Sequence, residues 1–169
     1  MTDSELQGIG AQALNMAKRE MKRGYFNFLL AAYHTTDTPP LHRMTQIEAI
    51  LIERLGEGWL NSDAAKDRGF FLLRIAVSIL PPDAVVMVTK ALALEGSPIE
   101  GDILHAIVQT PERFCIYGQK LDTRGEPTGT PVWSFGPLDA FEGRLKLFGA
   151  EIDDKALDQL RSLHRRSRN

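Results

Sequence analysis

The segment from Ala84 to Leu94, AVVMVTKALAL, constrains the fold most, because it begins as a continuous apolar run rich in β-branched residues. Such a run is typical of a central strand that is covered on both faces. The helix predicted just before it, over 63–80, is apolar around nearly its whole circumference and stops at Pro81-Pro82. We therefore expect a sheet with this helix packed against one face.

The other patterns predict helices early in the chain and antiparallel strands late, which is typical of an α+β fold. Thr2 and Glu5 fit a capping box that starts a helix over 3–23. A second helix is predicted from Met44 to Leu55, with Glu48 among its outward-facing residues. Further strands are predicted at 25–34, 103–109, 114–121 and 132–135. We expect a mixed or mainly antiparallel sheet of four to five strands, with additional N- and C-terminal helices around the edges.

Two segments leave the choice between helix and strand open. Residues 25–34 favour a buried strand, although their Leu-Leu-Ala-Ala stretch would also suit a helix. Residues 138–148 favour a helix by apolar spacing, although 144–147 alternate like a strand. A last helix is predicted from Asp153. If strands 25–34 and 84–94 are parallel neighbours, the helices between them form a right-handed crossover.

Composition excludes several classes of protein. The 20 basic and 22 acidic side chains of this 169-residue chain nearly cancel, which argues against polyanion binding by bulk charge. The single cysteine, Cys115, excludes an intramolecular disulfide and a multi-cysteine zinc site. Neither a signal peptide nor a membrane-spanning segment is recognisable. We expect one cytoplasmic domain over 1–169, with no cofactor, no membrane contact and a frayed basic tail over 161–169.

A first candidate site is formed by His34, Asp37 and His42, spaced H-x-x-D-x-x-x-x-H at the end of a predicted strand. Two imidazoles and a carboxylate suit a catalytic zinc or non-haem iron ion, or acid–base catalysis. The spacing matches no established metal motif. The alternative is that Asp37 forms an Asx-turn beside Pro39-Pro40 and that the histidines are solvated or cap helix ends.

A second candidate is Cys115 with His105, which lie on adjacent predicted strands and would form a nucleophile if they were in contact. The alternative is that Cys115 is a small buried hydrophobic residue and that His105 belongs to a sheet face.

Trp133 and Phe135 lie on one face of a predicted strand and are candidates to anchor a partner, the alternative being core packing. A further candidate is the basic tail, with Arg161, Arg165 and Arg166, which together with the cluster at 18–23 would bind phosphate or an acidic partner. Basic residues at a helix end also serve simply to complement the helix dipole.

The sequence contains no phosphate loop and no G-x-S-x-G motif, and it favours a small protein-binding or adaptor module acting as a homo-oligomer. Pairing two copies would cover the edges of an open sheet. The alternative is a metal-dependent hydrolase or isomerase that uses His34, Asp37 and His42. Nucleic-acid binding through the basic tail is a weaker alternative.

Overall fold

The computed structural model describes residues 1–24, 26, 28–92, 101–142 and 145–149. Its helices are α1 (Asp3–Lys22), α2 (Thr45–Leu55) and α3 (Asp63–Ile79). Its strands are β1 (Phe28–Tyr33), β2 (Leu41–Arg43), β3 (Ala84–Leu92), β4 (Asp102–Gln109), β5 (Arg113–Lys120) and β6 (Val132–Pro137). Short 3₁₀ turns lie at Trp59–Asn61 and Leu138–Ala140.

Within these residues the strands form one antiparallel sheet of six, in the order β2-β1-β3-β4-β5-β6. The α+β class is confirmed, but the sheet has more strands than the expected four to five, because the three-residue strand β2 is too short to show a period. Residues 28–33 are a strand, as favoured from the sequence. The strands β1 and β3 are neighbours but antiparallel, so they do not form the parallel crossover unit.

The helix α1 begins with the predicted capping box. The Thr2 hydroxyl accepts a bond of 3.2 Å from the Glu5 N–H, and the Glu5 carboxylate accepts one of 2.6 Å from the Thr2 N–H. The helix ends before Gly24, whose φ of +80° suits glycine. Its buried side chains pack across one face of the sheet. The expectation that α1 lies at the edges of the sheet is therefore wrong.

Alternation along the strands divides the core between the two faces. Two clusters of buried side chains result, one between the sheet and α1 and the other between the sheet and the helices α2 and α3. Val86 and Val88 of β3 pack in the cluster under α1, whereas Val85 and Met87 pack in the cluster under α2 and α3. The prediction that this strand is covered on both faces is confirmed. On α3, Gly69 lies directly against a side chain of the turn that precedes the helix.

The side chain of Trp59 fills the space beside Gly69. Trp59 is 1% exposed, and its ring packs edge-on against Phe28 and Phe70 at centroid distances of 5.4 and 5.7 Å. A Cβ atom on Gly69 would lie 2.4 Å from Cζ3 of Trp59, far inside ordinary contact. Glycine at this position therefore allows the tryptophan to be buried.

The helix predicted over 138–148 is wrong in the described part of that segment, because the chain there is held by side chains of the sheet and of α3. The buried Gln109 amide donates to the Leu145 carbonyl at 2.6 Å and accepts from the Leu147 N–H at 2.9 Å. Arg74 donates to the Lys146 carbonyl at 2.9 Å. These bonds occupy the backbone groups that a helix would need. The last predicted helix and the basic tail lie outside the described residues.

Candidate functional site

The two edges of the sheet differ in length and in the charged side chains beside them. At the β2 edge, the Leu30 N–H donates to the Glu48 carboxylate at 2.6 Å, just beyond the end of the short strand. Glu48 is 7% exposed, so its predicted outward position is wrong. Arg43 of β2 donates to Glu48 at 2.7 and 3.0 Å and also pairs with Glu20 of α1. This edge is therefore short and carries charged side chains, which oppose pairing with another strand, although the backbone groups of Leu41 and Arg43 also face outward.

The hydrogen bonding of β5 determines which groups of β6 face outward. The Thr110 N–H donates to the Arg113 carbonyl at 2.9 Å, and the Leu121 N–H donates to the Asp102 carbonyl at 2.8 Å. Odd-numbered residues of β5 therefore bond to β4, and even-numbered residues bond to β6.

The register of β5 with β6 then places the outward-facing groups. Ile116 lies opposite Ser134, so the backbone of Ser134 points inward and those of Trp133 and Phe135 point away from the sheet. Pro131 and Pro137 flank them and have no N–H. Within the part of the chain that the structure describes, no strand pairs with this side of β6.

The side chains of Trp133 and Phe135 lie on the same sheet face, as predicted, and both are half-buried against the cluster under α1. Their rings stack at a centroid distance of 6.4 Å. Trp133 also packs against Tyr117 at 4.8 Å and lies over Gly10, where a Cβ would meet its ring at 3.2 Å. Both rings therefore contribute to the core while part of their surface remains at the open edge.

The structure brings together two of the three residues of the His/Asp candidate. His42 Nε2 lies 3.1 Å from Asp37 Oδ2, and both side chains are nearly half exposed. His34 does not complete a metal site with them: among the described residues no group of three His, Cys, Asp or Glu side chains is placed to hold a metal ion.

The loop that carries Asp37 is anchored by Asp83. Thr35 donates to Asp83 from its N–H at 2.7 Å and from its hydroxyl at 2.8 Å. These two bonds, the backbone one first, lower the pKa of Asp83.

The pair of Cys115 and His105 is not formed. Cys115 packs in the cluster under α1, whereas His105 alternates with Leu104 and Ala106 of that cluster and therefore lies on the opposite face. Burial raises the pKa of Cys115 to about 12, so its reactive thiolate is suppressed. Burial lowers the pKa of His105. The interpretation of Cys115 as a small buried hydrophobic residue is confirmed.

A cleft of about 390 Å³ lies between the C-terminal half of α1 and the loop joining β5 to β6. Lys18, Arg19 and Lys22 line it, so part of the basic cluster predicted at 18–23 forms a concave surface. The tail residues Arg161, Arg165 and Arg166 lie outside the described residues.

Together these features define a small α+β protein with an open antiparallel sheet and helices on both faces; among the described strands none pairs with the outer side of β6, which carries aromatic side chains. No family model matches the sequence, and comparison with curated proteins and with solved structures gives no significant match. None of the helices in the described ranges has the length and apolarity needed to cross a bilayer.

Sequence reasoning identified the aromatic residues of the edge but missed Glu48 at the other one. The alternation of Trp133 and Phe135 with Ser134 and Gly136 was the available signal. Nothing in the sequence around Glu48 distinguishes it from the exposed Glu53 on the same helix.

Proposed function

We propose that the protein is a self-associating binding module in which the β6 edge of one copy pairs with the β6 edge of a second copy. The observation that carries this proposal is the outward-facing backbone of Trp133 and Phe135 on a strand whose outer side has no described neighbour. An unpaired edge of this kind is a template for another strand. The β2 edge is only three residues long and carries the charged Arg43 and Glu48, whereas β6 has six residues, which supports β6 as the edge that is used.

The register of the pairing follows from the positions of the free groups. In an antiparallel, two-fold arrangement centred on Ser134, Trp133 of each copy lies opposite Phe135 of the other. The outward N–H groups and carbonyls of Trp133 and Phe135 are then all bonded in each copy. A register centred on Trp133 or on Phe135 forms as many bonds but leaves the carbonyl of one of these two residues unpaired, because Pro131 and Pro137 cannot donate. The Ser134-centred register is therefore the one that bonds all four outward groups of Trp133 and Phe135.

The side chains favour the same arrangement. Across each hydrogen-bonded pair, the Trp133 ring meets the Phe135 ring of the second copy on the α1 face, and aromatic cross-strand pairs stabilise a sheet by roughly 0.2–1 kcal/mol each. Pro131 and Pro137 end the pairing on both sides, which limits it to a short segment. We therefore expect a reversible dimer that dissociates on dilution, and not a growing fibre.

Sedimentation equilibrium over a dilution series tests this proposal. The wild-type protein is expected to shift from dimer to monomer as its concentration falls. Ser134 is exposed, and in the proposed dimer it lies opposite Ser134 of the second copy at the two-fold axis. Ser134→Lys therefore places two like charges against each other and should leave a monomer.

The matched control is Gln46→Lys, which adds the same charge on an exposed position of α2, near the β2 edge. This variant should dimerise like the wild type. A wild-type protein that remains monomeric at the highest concentration, or equal dimerisation by both variants, would contradict the proposal.

A further inference from the structure

The cleft beside α1 is built from two walls of different chemistry. Lys18, Arg19 and Lys22 lie on the helix wall with Asn15, and Glu126 lies on the opposite wall with Pro127. Its volume of about 390 Å³ is within the range of sites that bind small molecules. The cleft is separate from the β6 edge, because no residue that lines it takes part in the proposed pairing.

The three cations of the cleft are not engaged in ion pairs with carboxylates among the described residues, although Glu126 lies on the facing wall. Arg43, Lys66 and Arg113 each pair with an acidic side chain. Within the described ranges, no such ion pair within 4.0 Å is formed by the three cations of the helix wall.

The helix dipole accounts for only part of this cluster. Arg19 and Lys22 lie in the last turn of α1, where cations complement the dipole. Lys18 lies before that turn and is four residues from Lys22, a spacing at which like charges repel. An anion between them would relieve this repulsion.

The opposite wall is held in place by hydrogen bonds. The Asp122 carboxylate accepts from the N–H groups of Arg124 and Glu126 at 2.8 and 2.9 Å. The Asp122 N–H donates back to the Glu126 carbonyl at 2.8 Å. These bonds fix the backbone that carries Glu126, so this wall of the cleft is preformed.

We propose that this cleft binds a small soluble phosphate ester that carries hydroxyl groups. The phosphate lies against the three cations and accepts from the Asn15 amide, and a hydroxyl of the ligand donates to the Glu126 carboxylate. Charge-assisted bonds to phosphate from lysine and arginine are strong in such a setting. The carboxylate on the facing wall repels a bulk polyanion and accepts a hydroxyl, which favours a sugar phosphate over a purely anionic ligand.

Isothermal titration calorimetry with glucose 6-phosphate as the probe tests this inference, with glucose as the neutral control. The double variant Lys18→Gln, Lys22→Gln should bind glucose 6-phosphate about tenfold more weakly for each cation removed. The control variant Lys66→Gln, Arg68→Gln removes two charges from α3 on the other side of the sheet and should bind like the wild type. Unchanged thermal unfolding of each variant shows that the fold is intact.

The variant Glu126→Gln separates the two parts of the proposal. It should weaken binding of glucose 6-phosphate, because the acceptor for the ligand's hydroxyl group is impaired. Binding of inorganic phosphate should be unchanged or stronger, because a negative charge that repels the phosphate is lost. Absence of binding to glucose 6-phosphate overturns the proposal. The proposal is also overturned, in favour of a non-specific basic surface, by either of two results. One is an equal loss of glucose 6-phosphate binding in the control variant Lys66→Gln, Arg68→Gln. The other is binding of heparin that is tighter than binding of glucose 6-phosphate and is unaffected by Glu126→Gln. Binding to phosphatidylglycerol vesicles without binding to the soluble ester would assign the phosphate to a lipid headgroup and overturn the soluble ligand.

Discussion

Replacement of Gly69 by Ala tests the packing between α3 and the turn that carries Trp59. Alanine is the better helix former, and in the interior of a helix the change alone stabilises by roughly 0.5–1 kcal/mol. The new Cβ would lie 2.4 and 2.7 Å from two ring atoms of Trp59, so the ring must move by about 1 Å to reach ordinary contact. Because Phe28 and Phe70 pack against that buried ring, its movement must disturb their packing as well.

Overpacking of this kind costs roughly 1–3 kcal/mol, and the short distance places Gly69→Ala at the upper end. We expect a net loss of about 2 kcal/mol in the free energy of unfolding, measured by urea titration followed by circular dichroism. For a domain of this size the loss lowers the melting temperature by about 4–8 °C.

The matched control is Gly8→Ala, on an exposed position of α1 where a Cβ meets nothing within 4 Å. This variant should be more stable than the wild type by roughly 0.5–1 kcal/mol. In a Trp59→Leu background, Gly69→Ala should lose most of its penalty. A Gly69→Ala variant as stable as Gly8→Ala would refute the argument.

Three further predictions concern buried and charged groups. Glu48→Ala should lower the unfolding free energy by about 3 kcal/mol, because the Leu30 N–H and Arg43 lose their acceptor; urea titration measures it, and an unchanged midpoint would contradict it. The lowered pKa of Asp83 means that its carboxylate stabilises the folded protein at neutral pH, and this contribution should be lost as the pH falls below about 4. The urea midpoint of Asp83→Asn should therefore depend less on pH than that of the wild type; parallel curves would contradict this. Cys115 should resist a thiol reagent at about pH 8 until the protein is unfolded, as followed by mass spectrometry; rapid labelling of the folded protein would show that the thiol is accessible.

The features that could be predicted from the sequence are those determined by neighbouring residues. Thr2 and Glu5 bond to each other within one turn, and Pro81-Pro82 stops a helix through its own rings. The apolar run from Ala84 also predicted a central position, because a strand buries successive side chains only when both of its faces are covered.

The features that sequence reasoning missed depend on distant partners. The strand β2 is only three residues long, so it shows no alternation in the sequence and is recognised only by its pairing with β1 in the structure. Segment 145–149 has helical spacing, but bonds from Gln109 and Arg74 hold it in another conformation. Glu48 has the sequence context of a surface residue and is buried because Arg43 and the free Leu30 N–H lie beside it.

The same division applies to the candidate site. Alternation predicted that Trp133 and Phe135 share a face, since this follows from the period of a strand. Whether their strand lies at an edge depends on the order of strands in the sheet, which is a tertiary property. The proximity of Asp37 to His42 likewise depends on the path of the loop between β1 and β2.

Disulfide cross-linking at Ser134 tests the proposed pairing of β6 edges most directly. In the Ser134-centred register the two copies of this residue form a non-hydrogen-bonded pair, with Cα atoms about 4.5 Å apart, within the range that a disulfide spans. Val132 lies opposite Gly136 of the second copy, so Val132→Cys is the matched control. Under mild oxidation, Ser134→Cys should give a covalent dimer on non-reducing electrophoresis and Val132→Cys should not. Absence of a dimer from Ser134→Cys, or equal cross-linking of both variants, would contradict this mode of self-association.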